Sequence, residues 1–218
     1  MIKIAPSILS ADFSCMADEL KKIASADLIH CDVMDGRFVP NITFGMKMIA
    51  DIKKHTKIPL DVHLMIENPE NYIQEFIAAG ADYLTFHIEA SKRAAHTKEM
   101  LTLIKSKGIF AGLAVSPDTS ENTLEPFIEL CDLIVVMSVY PGFGGQTLIP
   151  SSLQKIQNLK NVIRNKNKAC LIEVDGGITL ENAGSVIESG ADILVAGNTV
   201  YKSDDPGATI KLLRNQKT

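Results

Sequence analysis

The chain has 218 residues, 46% of them apolar, and a formal charge of −4. That length suffices for one well-filled core and is short for two, so residues 1–218 are expected to form a single domain. Lys and Arg are scattered rather than gathered in a stripe, and neither nucleic acid nor a membrane is expected as a partner.

Apolar runs alternate with amphipathic segments from one end to the other, with no linker or low-complexity tract. Strands are expected over residues 2–9, 28–33, 60–64, 83–87, 109–115, 133–137, 169–174 and 193–196. Between them, residues 16–24, 70–79, 97–105, 152–163 and 180–188 carry apolar side chains at helical spacing. The first ten residues lack a signal-peptide pattern and read as the opening strand. Cys15, Cys31, Cys131 and Cys170 lack the spacing of a metal finger or a redox pair, and read as reduced residues of a cytoplasmic protein.

A short word recurs before the even-numbered strands: Ala26-Asp27-Leu28-Ile29, Ala81-Asp82-Tyr83-Leu84, Cys131-Asp132-Leu133-Ile134 and Ala191-Asp192-Ile193-Leu194. A small residue, then Asp, then an apolar run suits a tight helix-to-strand turn, with Gly80 and Gly190 ending the preceding helices. Eight such βα units in this length predict a single (β/α)₈ barrel of the TIM type. An open doubly wound sheet is disfavoured, because Pro6-Ser7-Ile8-Leu9-Ser10 stands where a Gly-rich dinucleotide loop should follow the first strand.

In such a barrel the reactive face is built from the carboxyl ends of the strands, where Ser7, His30, Asp32, His63 and Asp175 fall. Residues two apart on a strand share a face, so His30 and Asp32 aim at one target while Cys31 points away. Two imidazoles and two carboxylates meeting in a narrow lumen are the donor set of a catalytic metal site, since buried charge without a partner is costly. One divalent cation is expected. Zinc is the first choice, and ferrous iron, cobalt and manganese accept the same donors.

Met34, Met65 and Met137 stand at strand ends and are expected to form an apolar collar around substrate. Glycines mark the other half of the mouth: Pro141-Gly142-Phe143-Gly144-Gly145-Gln146 after the sixth strand, Gly176-Gly177 after the seventh and Gly197-Asn198 after the eighth. Their backbone N–H groups can surround a phosphate without Lys or Arg.

With these segments in order, the chain resembles the ribulose-phosphate 3-epimerase family from end to end. The resemblance is carried by residues 5–13 (APSILSADF), 29–41 (IHCDVMDGRFVPN), 59–65 (PLDVHLM), 141–146 (PGFGGQ) and 173–177 (EVDGG). It implies epimerisation of ribulose 5-phosphate to xylulose 5-phosphate in pentose phosphate metabolism. It implies that His30, Asp32, His63 and Asp175 bind the metal, with Asp32 and Asp175 also serving as the acid–base pair. Ser7 and His63 would contact the sugar phosphate, and Gly142, Phe143, Gly144, Gly145, Gly176, Gly177, Gly197 and Asn198 its phosphate. Asn198 departs from the family's Ser but still offers a backbone N–H and a side-chain amide.

A homo-oligomer is also implied. Two other readings stay open here: a hexulose-phosphate (allulose 6-phosphate) 3-epimerase with the same mechanism, and a non-catalytic sugar-phosphate-binding barrel. A metal-independent decarboxylase barrel would need D-x-K-x-x-D, and Thr56 stands where its second Asp belongs.

Overall fold

In the computed structural model, which describes residues 1–166 and 169–216, each predicted strand is present and all eight run parallel. They are β1 (Lys3–Ala5), β2 (Ile29–Met34), β3 (Leu60–Met65), β4 (Tyr83–His87), β5 (Phe110–Val115), β6 (Leu133–Met137), β7 (Leu171–Asp175) and β8 (Ile193–Val195). From β2 to β8 each is hydrogen-bonded to the next in sequence, and β1 pairs with β8. The seam between β1 and β2 is drawn together by the His30 N–H, which donates to the Pro6 carbonyl at 3.0 Å, beside a single bridge between Ser7 and His30. The result is a nearly closed (β/α)₈ barrel.

β1 is shorter than its apolar run suggests. Pro6 has no N–H for a ladder, and Ser7 then caps a 3₁₀ turn over Ile8–Ser10 by accepting from the Leu9 N–H. The helices are α1 (Met16–Lys22), α2 (Met46–His55), α3 (Ile73–Ala79), α4 (Ala94–Ser106), α5 (Ser151–Lys166), α6 (Ala183–Glu188), α7 (Asn198–Tyr201) and α8 (Pro206–Arg214). Between β5 and β6 the chain makes two 3₁₀ turns, Glu121–Leu124 and Ile128–Leu130. Pro126 lies between them, where a continuous helix would need its missing N–H. Gly80 caps α3, and Gly190 follows the end of α6.

Side-chain alternation divides the strands into two cores. Outward residues such as Ile29, Cys31 and Val33 of β2, Val62 of β3 and Ile172 and Val174 of β7 pack beneath the helices. Inward residues Ala5, Ala114, Leu133, Val135, Ile193 and Val195 fill the lumen. Charge enters the lumen on β2, β3 and β7, and the site begins there. None of the four cysteines is in a disulfide. Among the described residues, no helix is long and apolar enough to cross a membrane.

The Asp repeat has a structural cause at the amino ends of the strands. Asp27, Asp82, Asp132 and Asp192 each donate a backbone N–H to one residue of the preceding strand: Ile4, Leu60, Ala111 and Ile172. Each carboxylate then accepts the N–H of that same residue, at 2.7–2.9 Å. One Asp therefore satisfies both backbone groups of a residue that would otherwise end the sheet unpaired. Each also meets a cation from a helix: Arg214, Lys53, Lys105 and Lys160 respectively.

Lys160 holds both oxygens of Asp192, at 2.6 and 2.7 Å. Asp192→Ala leaves the Ile172 N–H and a half-buried ammonium without this partner. Urea unfolding is expected to show a loss of about 2 kcal/mol. A loss under about 0.5 kcal/mol, the size usual for a surface substitution, would show that the turn holds without it.

Candidate metal centre

The register of β2 against β3 sets His30 beside Asp61 and Asp32 beside His63. Since residues two apart share a face, all four side chains enter the lumen, Asp32 and His63 nearer the mouth. Asp175 reaches the same level from the carboxyl end of β7, opposite Met137 of β6.

His30 Nε2 lies 3.3 Å from Asp32 Oδ1 and 3.7 Å from Asp175 Oδ2; His63 Nδ1 lies 3.4 and 3.6 Å from the same two atoms. Both histidines are fully buried, and neither of these nitrogens has a hydrogen-bond partner. Four donors bound to one ion at bonds of about 2.0–2.2 Å stand roughly 3.3–3.6 Å apart across a tetrahedron. The donor set and its spacing fit one divalent cation.

The far sides of the ligands are also held. His30 Nδ1 lies 2.6 Å from Asp61 Oδ2 and 3.3 Å from Glu173 Oε1. Backing an imidazole with a carboxylate fixes the ring and its tautomer. Asp61 and Glu173 are completely enclosed. They share faces with His63 and Asp175, so the two-residue period that aligns His30 with Asp32 also places this lower pair. The sequence reading applied that rule to β2 alone.

His63 Nε2 meets His87 Nε2 at 2.9 Å, and His87 Nδ1 meets Glu89 Oε2 at 3.1 Å. Neither His87 nor Glu89 was singled out by sequence, although His87 closes an apolar run as His63 does. Ser7 lines the cavity, and its hydroxyl donates to Asp32 Oδ2 at 2.5 Å.

Charge in this cluster is set by contest between burial and neighbours. Burial acts against ionised Asp32, yet the charge and hydrogen bonds of His30 and His63 hold its carboxyl below the usual range. Burial and then the Asp61 charge push Glu173 up to about 8. Burial works against protonating His63, but contacts to Asp175 and Asp32 raise it to about 9.

Above the cluster opens a cavity lined by Ser7, Asp32, Asp175, the three methionines and all eight residues expected at the phosphate. Met34 and Met65 pack with Val39, Leu9 and Phe38, while Met137 joins the lumen core. Ser10, Tyr140, Gln146, Ile178 and Thr179 also line it and were not predicted. Ser10 followed a strand assignment that ran too long. The others flank the glycines.

Gly177 has φ +66, and a Cβ there would stand 2.4 Å from the Leu148 backbone nitrogen, so only glycine lets these two loops approach. A Cβ at Gly145 (φ +77) would meet the Asn198 amide at 2.5 Å. Asn41 Nδ2 donates to the Gly142 carbonyl, and Tyr140 Oη donates to Asp118, tying the glycine loop to its neighbours.

The model of the Ribulose-phosphate 3 epimerase family matches residues 3–201. The chain is 47% identical to a ribulose-phosphate 3-epimerase of Bacillus subtilis (strain 168), over 100% of both chains. It is also 47% identical to a ribulose-phosphate 3-epimerase of Chlamydia muridarum, covering 97% of this chain and 93% of that one. Among solved structures, 3-hexulose-6-phosphate synthase from Salmonella typhimurium is similar in fold, with a TM-score of 0.72 at 16% identity over 97% of this chain and 96% of that one.

The raised His63 has a measurable consequence. With no ion bound, the folded protein keeps a proton on His63 that the unfolded chain releases near its ordinary 6.5. The stability this contributes is complete below pH 6.5 and is lost as pH rises through about 9. The same proton must leave before Nδ1 can take a cation. Apparent zinc affinity, corrected for the competing chelator's own protonation, is therefore expected to climb from about pH 7 to 9; a flat profile would contradict the assignment.

Proposed function

The chain belongs to the ribulose-phosphate 3-epimerase family, and from that membership we propose that it interconverts ribulose 5-phosphate and xylulose 5-phosphate by inverting carbon 3. The observation that carries the mechanism is the placement of Asp32 and Asp175 on different strands around the same two imidazoles, at the floor of the cavity.

The proton on carbon 3, beside the carbon 2 ketone, is a very weak acid, whereas an ordinary Asp has a pKa of about 3.9. A carboxylate alone does not bridge that gap. A divalent cation held by His30, Asp32, His63 and Asp175, zinc foremost among the metals that accept these donors, would polarise the substrate oxygens and spread the charge of the ene-diolate.

The chain's own groups then divide the work. Asp32, kept ionised by its histidine neighbours, takes the carbon 3 proton from one face, and Ser7 fixes the plane of its carboxylate. Asp175 returns a different proton from the other face, so the configuration inverts. In the reverse direction the two exchange roles, which requires that they begin in opposite protonation states. Met34, Met65 and Met137 wall the reacting carbons in apolar surface, which excludes water from a carbanion-like intermediate. The backbone N–H groups of residues 142–145, 176, 177, 197 and 198, with the Asn198 amide, receive the phosphate, and its attachment there sets carbon 3 between the carboxylates.

Asp175→Asn keeps the shape and removes the exchangeable acid. Turnover of ribulose 5-phosphate is expected to fall about 10²–10⁴-fold, while calorimetry still detects substrate binding through the phosphate loops. Normal turnover in this variant would overturn the assigned roles.

A further inference from the structure

His63 has two ring nitrogens, and the fold gives them different surroundings. Nδ1 faces Asp32 and Asp175, while Nε2 lies 2.9 Å from Nε2 of His87, the last residue of β4. Two imidazole nitrogens at that distance share a single proton, one ring donating and the other accepting. Which ring donates is decided on the far side of His87. There Nδ1 faces Glu89 Oε2 at 3.1 Å and the Ser116 hydroxyl at 3.4 Å. Glu89 Oε1 meanwhile accepts the Ser116 backbone N–H at 2.8 Å. Lys155 pins that loop by donating to the carbonyls of Ser116, Pro117 and Thr119.

A carboxylate only accepts, so His87 must present its proton on Nδ1. Its Nε2 is then a bare acceptor, His63 donates from Nε2, and in the neutral His63 ring Nδ1 is the nitrogen left with a lone pair facing the carboxylates. The opposite arrangement would set the His87 Nδ1 lone pair against Glu89 and put a proton on the one His63 nitrogen that faces the candidate cation.

We propose that His87 and Glu89 are positioning residues that fix the tautomer of neutral His63, so that when the ring gives up its second proton it is Nδ1 that is presented as a metal ligand. The proposal rests on the metal-site reading above. It also makes the two imidazole ligands unequal: Asp61 backs His30 directly at 2.6 Å, whereas the support of His63 passes through a second imidazole to a carboxylate near the rim.

The discriminating variant is Glu89→Gln, which preserves shape but not the donor pattern. The Ser116 N–H requires the amide oxygen, which turns the amide NH₂ toward His87 Nδ1. Two donors then meet, and the relief is a proton on His87 Nε2 and hence on His63 Nδ1. Zinc affinity, measured by chelator competition on the whole protein, is expected to fall about 10–100-fold, with the melting temperature of the metal-free protein little changed.

A second measurement needs no variant. Long-range ¹H–¹⁵N correlation spectra of the zinc-loaded parent should show His63 protonated on Nε2 and His87 on Nδ1. Parental affinity in Glu89→Gln, or a parent spectrum with His87 protonated on Nε2, overturns the relay while leaving the metal site standing. A parent that binds no divalent cation overturns the metal-site reading, and the relay with it.

Discussion

Two buried imidazole nitrogens, His30 Nε2 and His63 Nδ1, point into the same few ångströms of space with a carboxylate on either side, and no hydrogen bond satisfies either of them. In a low-dielectric lumen that arrangement is stable only if something positive occupies it, a proton or a cation. Much of the surrounding architecture follows from holding it in place. Strand register supplies the four donors, Asp61 stands behind His30, His87 and then Glu89 stand behind His63, and Ser7 restrains Asp32. The same constraint links binding to the proposed chemistry, because the two carboxylates that complete the donor set are also the groups we assign to moving the carbon 3 proton.

The barrel separates this demand from the demand for stability. At the amino ends of the strands, four Asp residues and four helix cations close the sheet with interactions that are satisfied within the protein. At the carboxyl ends the polar groups are left facing a cavity. A glycine loop there, tied through Asn41 and Tyr140, lines that cavity. The unpaired nitrogens of His30 and His63 thus lie beneath the face where the cavity opens.

The strands were legible because they carry apolar runs buried on both faces, and the candidate metal donors because His30, Asp32, His63 and Asp175 interrupt those runs at or near their carboxyl ends. The Asp repeat was visible as a word but not as a double hydrogen bond, since its partner lies on the preceding strand, 20–23 residues back. Asp61 and Glu173 follow from the same two-residue period as the ligands, yet nothing local distinguishes a lumen carboxylate from a solvated one. His87 and Glu89 were hidden for a different reason. Their role depends on a contact across β3 and β4 and on a loop held by Lys155, both set by tertiary packing. The missing helix after β5 could have been read from Pro126.

The central claim is that two carboxylates on opposite faces exchange one proton for another at carbon 3. It is tested most directly by running the reaction in deuterated water and reading carbon 3 by NMR during the first turnovers. The account predicts xylulose 5-phosphate fully deuterated at carbon 3, beside remaining ribulose 5-phosphate that still carries its original proton. Product that retains the original proton would contradict it.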